Sequence, residues 1–211
     1  KWVKFANSLK LRLAIRIVYA DEDLAQQKAE EAIRDGVFAD NEDNAMLKVD
    51  GSATVNPLYM ICYTYNDSRL GATMESYLKG YDDPRLDIWF AKSEVSEFKE
   101  YNGIRCGSIF NGNDYKVFSN LNISSSTPIQ FMNAAEVYFL RAEAALRGWN
   151  AGEDAGALYE KGIMTAFSQP LGGTQSKAGD ASVYMKGTTL PKGYVDPKNP
   201  SYSDDGAGQV S

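Results

Sequence analysis

Apolar residues recur at spacings of three and four in four stretches of the chain, with polar residues between them. In the first stretch Trp2, Phe5, Ala6, Leu9 and Leu13 form one stripe, and Leu11, Ile15 and Val18 form a second. That period is helical, and two stripes on one helix predict burial on more than one side. The next stretch aligns Leu24, Ala25, Ala29, Ala32 and Ile33. Asp21 stands where an N-cap belongs and Gly36 where a left-handed C-terminal cap belongs. The alanines predict a close antiparallel crossing of these two helices.

The third stretch opens on Thr127-Pro-Ile-Gln130, which offers a hydroxyl cap, a proline at the first helical position and a capping-box glutamine. It predicts a helix whose stripe is Phe131, Ala134, Ala135, Tyr138, Ala142, Ala145 and Leu146, closing at Gly148. The fourth carries Leu158, Tyr159, Ile163, Ala166 and Phe167 and stops before Gln169-Pro170. Gly162 inside that helix costs about 1 kcal/mol relative to Ala, which a close helix crossing would explain. Together these stretches predict a mainly α fold of tetratricopeptide-like hairpins; generic helix pairs are the alternative. Helices one and three have apolar faces too wide for a lone hairpin to bury, so the two pairs should pack together.

Residues 1–36 and 128–170 then form one discontinuous helical scaffold, interrupted by a loop-rich insertion, residues 37–127, with short strands. In it Tyr59, Ile61, Tyr63 and Tyr65 alternate as in a strand, Met74 to Gly80 makes one or two helical turns, and Ile88-Trp-Phe90 reads as strand. From Phe98 to Leu121 the chain is rich in Gly, Asn and aromatics, which predicts hairpins and loops. Residues 171–211, with Gly, Ser, Asp and Pro, read as an extended loop leading to an element beyond residue 211.

Composition narrows the chemistry. The net charge of -6 argues against wrapping a phosphate backbone, so nucleic acid is not an expected partner. The chain has no histidine, which removes the commonest general base and the commonest transition-metal ligand. Cys62 and Cys106 read as two separate apolar thiols, each a small buried hydrophobe, with a single disulfide as the alternative. No apolar run reaches the ~20 residues that span a bilayer. The acidic runs Asp21-Glu-Asp23 and Asp40-Asn-Glu-Asp-Asn44 lack the glycine and terminal glutamate of an EF-hand loop. They read as capping or solvated faces, and no metal or cofactor is expected. Arg12, Arg16, Glu136, Arg141 and Glu143 interrupt apolar helices. Pairing across helices is the expected reason, a ligand groove the alternative.

Three motifs, taken in order, are similar to those of the SusD-like (SusD/RagB) nutrient-binding outer-membrane lipoproteins. They are Lys4-Phe-Ala-Asn-Ser-Leu-Lys-Leu-Arg-Leu-Ala-Ile-Arg16; Asp83-Pro-Arg-Leu86 with Trp89-Phe90; and Ala135-Glu-Val-Tyr-Phe-Leu-Arg-Ala-Glu-Ala144 with Leu158-Tyr-Glu-Lys-Gly-Ile163. One departure is Asp87, where the family usually has Pro. The resemblance reads the chain as a middle or later portion of such a lipoprotein, whose lipid anchor lies elsewhere. It implies a non-catalytic, surface-exposed protein of the cell outer membrane that captures a glycan or peptide and passes it to a TonB-dependent transporter.

A sugar is held by aromatic faces against its C–H-rich rings and by Asn, Asp, Arg or Gln at its hydroxyls. Within the insertion, residues 57–127, about a third of the chain, hold 12 of its 25 aromatic residues. The candidate ligand-binding residues are Trp89, Tyr101, Asn102, Asn113, Asp114 and Tyr115. Against this stand a core anchor for Trp89 and half-buried loop tyrosines for Tyr101 and Tyr115. Two competing functions remain: a tetratricopeptide-type scaffold that binds protein through its helix faces, and a glycosidase, for which the aromatic loops offer no preferred pair of acids.

Overall fold

The computed structural model describes residues 1–108, 112–170, 178–201 and 203–204. The chain divides into two compact units: Lys1–Leu47 with Ile129–Pro170 and the helix Ala178–Tyr184, and Lys48–Pro128 with the described residues from Lys186 on.

The first unit is built on helical hairpins. Helices α1 (Trp2–Arg16) and α2 (Glu22–Arg34) run antiparallel, since Asn7 of α1 reaches the end of α2 and Lys10 meets Glu31 one turn earlier. Asp21 caps α2 by accepting from the Leu24 amide at 3.0 Å, and Gly36 follows its end at φ +95°. Ala25, Ala29 and Ala32 are fully buried, which is what lets the backbones approach. The Asn-Ser pair of α1 has a local task. Asn7 Nδ2 donates to the carbonyls of Asp35 and Gly36, and the buried Ser8 hydroxyl accepts from the Phe38 amide. These bonds satisfy groups that a helix end leaves without partners and fix the turn after α2. The two stripes of α1 differ in fate: Leu11, Ile15 and Val18 are buried, whereas Trp2 and Leu13 are exposed.

The third helix starts later than its sequence signals predict. Ile129–Met132 is a strand, β2, paired antiparallel with β1 (Ala45–Leu47), and helix α6 spans Ala134–Leu146 behind the cap Asn133. The Thr127 hydroxyl instead accepts from the Ser124 amide, closing a turn, so the expected capping box does not form. Phe131 therefore sits on a strand, where it is exposed. Helix α7 (Ala155–Phe167) is capped by Asp154 and runs back along α6. A Cβ on Gly162 would stand 2.7 Å from the Phe139 ring, so the crossing requires hydrogen there. One core joins both hairpins, with Leu11, Ile15, Ala29, Val137, Ala144 and Leu158 among its members. These are tetratricopeptide-like hairpins in a mainly helical fold.

The charged residues inside the helices answer the expectation of pairing across helices in part. Arg12 with Glu136 does so, while Glu143 pairs within its own turn, with Arg147, and Arg141 with a loop, at the Ala151 carbonyl. Arg16, an equal candidate for such a pair on sequence, is exposed. The run Asp40–Asn44 is also spent on the fold: Asp43 meets Lys4, Asp40 accepts from the amides of Glu42 and Asp43, and the buried Asn44 accepts from the Ala134 amide.

The second unit has little regular structure. Its helices are α3 (Pro57–Tyr59), which widens into a π-helical turn at Met60–Thr64, α4 (Ala72–Gly80) and α5 (Leu86–Trp89). The alternating tyrosines at 59–65 are thus helical and not a strand. Asn56 accepts from the Leu58 amide and Pro57 occupies the first turn, a start signal that outweighs a short period-two pattern. Ile88-Trp-Phe90 is likewise helical to Trp89, with Phe90 in an isolated bridge to Leu121. After Lys186 the described chain forms the short ribbon β3 (Tyr194–Val195) and β4 (Ser203–Asp204).

Candidate functional site

Asp83-Pro-Arg85 is a structural turn. The buried Asp83 carboxylate accepts from the Arg85 amide and from its guanidinium at 2.9 and 2.6 Å, and Arg85 lies 4.7 Å over the Trp89 ring. Trp89 is thereby set against the small cluster of Leu70, Leu78 and Phe90, half-buried. Tyr101 packs against the same cluster, so two of the six candidate residues are brought together. Lys92 Nζ stands 5.5 Å from the Tyr101 ring centre. Burial holds the Tyr101 hydroxyl above its ordinary pKa, and the carboxylates of Asp87 and Glu100 add to this.

The strand-like segment after Tyr101 is pinned from several sides. The Asn102 amide donates to the Ser119 hydroxyl and its carbonyl accepts from the Ser119 amide. Its side-chain amide donates to the carbonyls of Phe98 and Val117 at 3.0 and 3.2 Å, so Asn102 braces the loop it stands on. Glu75 accepts from the Gly103 amide, and the buried Tyr194 hydroxyl donates to the Gly103 carbonyl at 3.0 Å. A Cβ at Gly103 would stand 2.8 Å from the Ala72 backbone, so that position is closed to larger residues. Tyr101, half-buried, thus stands at the start of a well-braced segment.

Asn113, Asp114 and Tyr115 lie on a separate 3₁₀ turn, Gly112–Val117. Asn113 is exposed, and Asp114 is paired with Lys198 at 2.8 Å. The Tyr115 carbonyl accepts from Arg69 Nε. Phe110, next to this turn, lies outside the described residues.

One aromatic group escaped the sequence reading. Tyr59 and Tyr63 stack with ring centres 5.0 Å apart and planes 23° from parallel. Tyr65 is 62% exposed, and the Tyr63 hydroxyl donates to the Leu121 carbonyl. The Asn56-Pro57 start signal followed by tyrosines four apart could have shown it. Cys62, on the same turn, is buried and free, and burial pushes its thiol pKa up; Cys106 is free and exposed. The two thiols are separate, although only Cys62 has the apolar burial expected of both. Among the described residues there is no group of three or more metal-ligating side chains. No described helix is long and apolar enough to cross a membrane.

Residues 1–211 match the SusD-like family, described as Susd and RagB outer membrane lipoprotein. A chitin-binding SusD homologue from Flavobacterium johnsoniae is 41% identical, with a TM-score of 0.85 over 97% of this chain and 42% of its own. A SusD homologue from Bacteroides thetaiotaomicron VPI-5482 is 37% identical at a TM-score of 0.85, over the same shares of the two chains. A SusD-like protein from that strain is 36% identical at 0.86, over 96% of this chain and 42% of its own. The chain thus spans less than half the length of these relatives. No curated protein matches it.

Proposed function

The chain belongs to the SusD-like family of outer membrane lipoproteins, and from that premise we propose that the whole protein captures a glycan at the cell surface, without catalysis, and passes it to a TonB-dependent transporter. The observation that carries this reading is Tyr101, held half-buried with Trp89 on one apolar cluster and followed by a segment that Glu75, Ser119 and Tyr194 fix. A ring already fixed loses little freedom on stacking against a sugar. Lys92, whose Nζ lies over the Tyr101 ring, is close enough to meet hydroxyls of a sugar at its edge. Asn113, Asp114 and Tyr115 are the second group of contacts. Asn102 keeps its place in the site by shaping the loop. The chitin-binding homologue makes chitin oligosaccharides the first probes.

The test is isothermal titration of the full-length protein with ligands chosen from a glycan array, with hydrolysis followed in parallel. Tyr101→Ala with Tyr115→Ala should weaken binding at least five-fold, since each ring contributes roughly 1 kcal/mol. Tm should fall as well, because Tyr101 packs on Leu70, Leu78 and Phe90, so affinity is read well below the variant's Tm. Unchanged affinity places the site outside residues 98–120, and product formation contradicts the non-catalytic assignment.

A second reading, a protein-binding scaffold, is favoured by one feature of the first unit. Trp2, Phe5, Phe38, Met46 and Phe131 line an apolar cleft of about 510 Å³. A full-length protein that ignores glycans and binds peptide through residues 2–33 would establish it.

A further inference from the structure

We propose that residues 190–196 are a strap that positions Tyr101, with Tyr194 as the positioning residue that acts through Gly103. This inference rests on the glycan-binding reading of Tyr101 and adds to it the distant piece of chain on which that site depends.

The strap is laid on α4 by backbone contact. The Lys192 amide donates to the Ser76 carbonyl at 3.0 Å, and the Ser76 hydroxyl donates to the Lys192 carbonyl. A Cβ on Gly80 would collide with the backbone of Leu190, Pro191 and Lys192, so the chain can lie this close only because the helix carries hydrogen there. Pro191, Tyr194 and Asp196 are buried, while Leu190, Lys192 and Val195 are exposed. At the far end the Asp196 carboxylate accepts from the amides of Lys198 and Asn199 at 2.8 and 3.0 Å, which closes the turn after the strap. A short segment held by so few buried side chains belongs to the part of a fold that opens at low cost.

Its reach to the site is through Gly103, two residues after Tyr101. Side chains from elsewhere grip both backbone groups of this glycine: the amide donates to Glu75 of α4, and the carbonyl accepts from the Tyr194 hydroxyl at 3.0 Å. Burial, then the carboxylates of Asp196 and Glu75, push the Tyr194 pKa above its ordinary value, so the hydroxyl stays a donor across the neutral range. Helix α4 joins the two halves of the device. Its Leu78 belongs to the cluster that carries Tyr101 and Trp89, and its Ser76 and Gly80 take the strap. Undocking the strap frees the Gly103 carbonyl, and Tyr101 must then be ordered at the moment of binding, which lowers affinity. Linkage runs both ways, so a ligand on Tyr101 holds the strap down.

The experiment uses the full-length protein with chitohexaose as the probe, titrated well below the Tm of every variant, and hydrogen exchange read at single amides. Tyr194→Phe keeps the ring and removes the hydroxyl; Gly80→Ala displaces the strap at Leu190–Lys192. In the ligand-free protein each should speed exchange at Gly103 and Ile104 about ten-fold, and each should weaken chitohexaose about three-fold. Together they should weaken it little more than either alone, because both release one device. Chitohexaose should slow exchange at Lys192 in wild type. Gly162→Ala, which loosens the first unit instead, is the control, with a lower Tm and unmoved affinity. Loss in Tyr101→Ala with none in either strap variant overturns this inference and keeps the proposed function. If chitohexaose is not bound, or Tyr101→Ala leaves its affinity unchanged, the proposed site is overturned and the inference with it. Unchanged exchange at Gly103 in Tyr194→Phe overturns the inference alone. So does an equal loss of affinity in Gly162→Ala, which would make the effect one of general stability.

Discussion

Arg12 and Glu136, 124 positions apart in sequence, meet in a two-pronged ion pair, with Nε to Oε1 at 2.5 Å and Nη2 to Oε2 at 2.6 Å. Parallel bonds of this kind fix direction as well as distance. The pair therefore sets how α1 lies against α6, between hairpins that the insertion separates in sequence.

Breaking that pair should cost modestly. The side chains are 26% and 33% exposed, so solvent screens the attraction and about 1 kcal/mol is the expected coupling. Arg12→Leu should lower Tm by about 2–4 °C for each kcal/mol lost. A cycle with Glu136→Gln should return a coupling that shrinks in added salt. Arg16→Leu, at an exposed position, should change little. A zero coupling in low salt would leave the α1–α6 register to apolar packing alone.

Gly162→Ala should destabilise despite Ala's better helix propensity. The gain is about 1 kcal/mol, whereas displacing the Phe139 ring from 2.7 Å has an overpacking cost of roughly 1–3 kcal/mol. Urea unfolding should show a net loss of about 1 kcal/mol. In a Phe139→Leu background the same substitution should become neutral or stabilising, and a persistent loss there would point to another cause.

Acid stability should carry a signature of Glu31. Bonds from Lys10, then Lys28 and Gln27, hold its pKa down to about 2. A lowered folded-state pKa means that the contribution is complete above the unfolded value of about 4.3 and is lost as pH falls towards 2. The unfolding midpoint of wild type should thus fall more steeply than that of Glu31→Gln between about pH 4.5 and 2, with the two converging below. Parallel curves would show that the cluster around Glu31 contributes nothing.

The thiols should separate cleanly. Cys106 is exposed and should react with a thiol reagent in the folded protein. Cys62 is buried with a raised pKa and should react only as the protein unfolds, at a rate that follows denaturant. One rapid equivalent followed by one slow equivalent is the expected count, and two rapid ones would show that the π-helical turn opens readily.

Where period and cap agreed, the sequence could be read directly. Asp21, Gly36, Gly148 and the alanines of α2 each did locally what their chemistry predicts. Two errors came from local signals that compete with longer-range pairing. Thr127-Pro-Ile-Gln is a strong helix start, yet residues 129–132 gain more by pairing with Ala45–Leu47, a partner that no local window contains. Tyr59 to Tyr65 suits either period over so short a run, and the cap at Asn56 decides it. The candidate site was legible only in residue type. That Tyr101 and Trp89 share one cluster depends on Leu70 and Leu78, and that Asn102 is a brace depends on Val117 and Ser119, contacts made through folding alone.

The pairing of Leu47 with Ile129 has a consequence for how such a chain can vary. Residues 48–128 leave and rejoin the helical framework at the two ends of a single rung, about 5 Å apart. A segment whose ends are clasped in this way can change length and composition while the framework keeps its fastening, as a gemstone can be exchanged in a fixed setting. Change in the mounted part then requires no renegotiation of the helices.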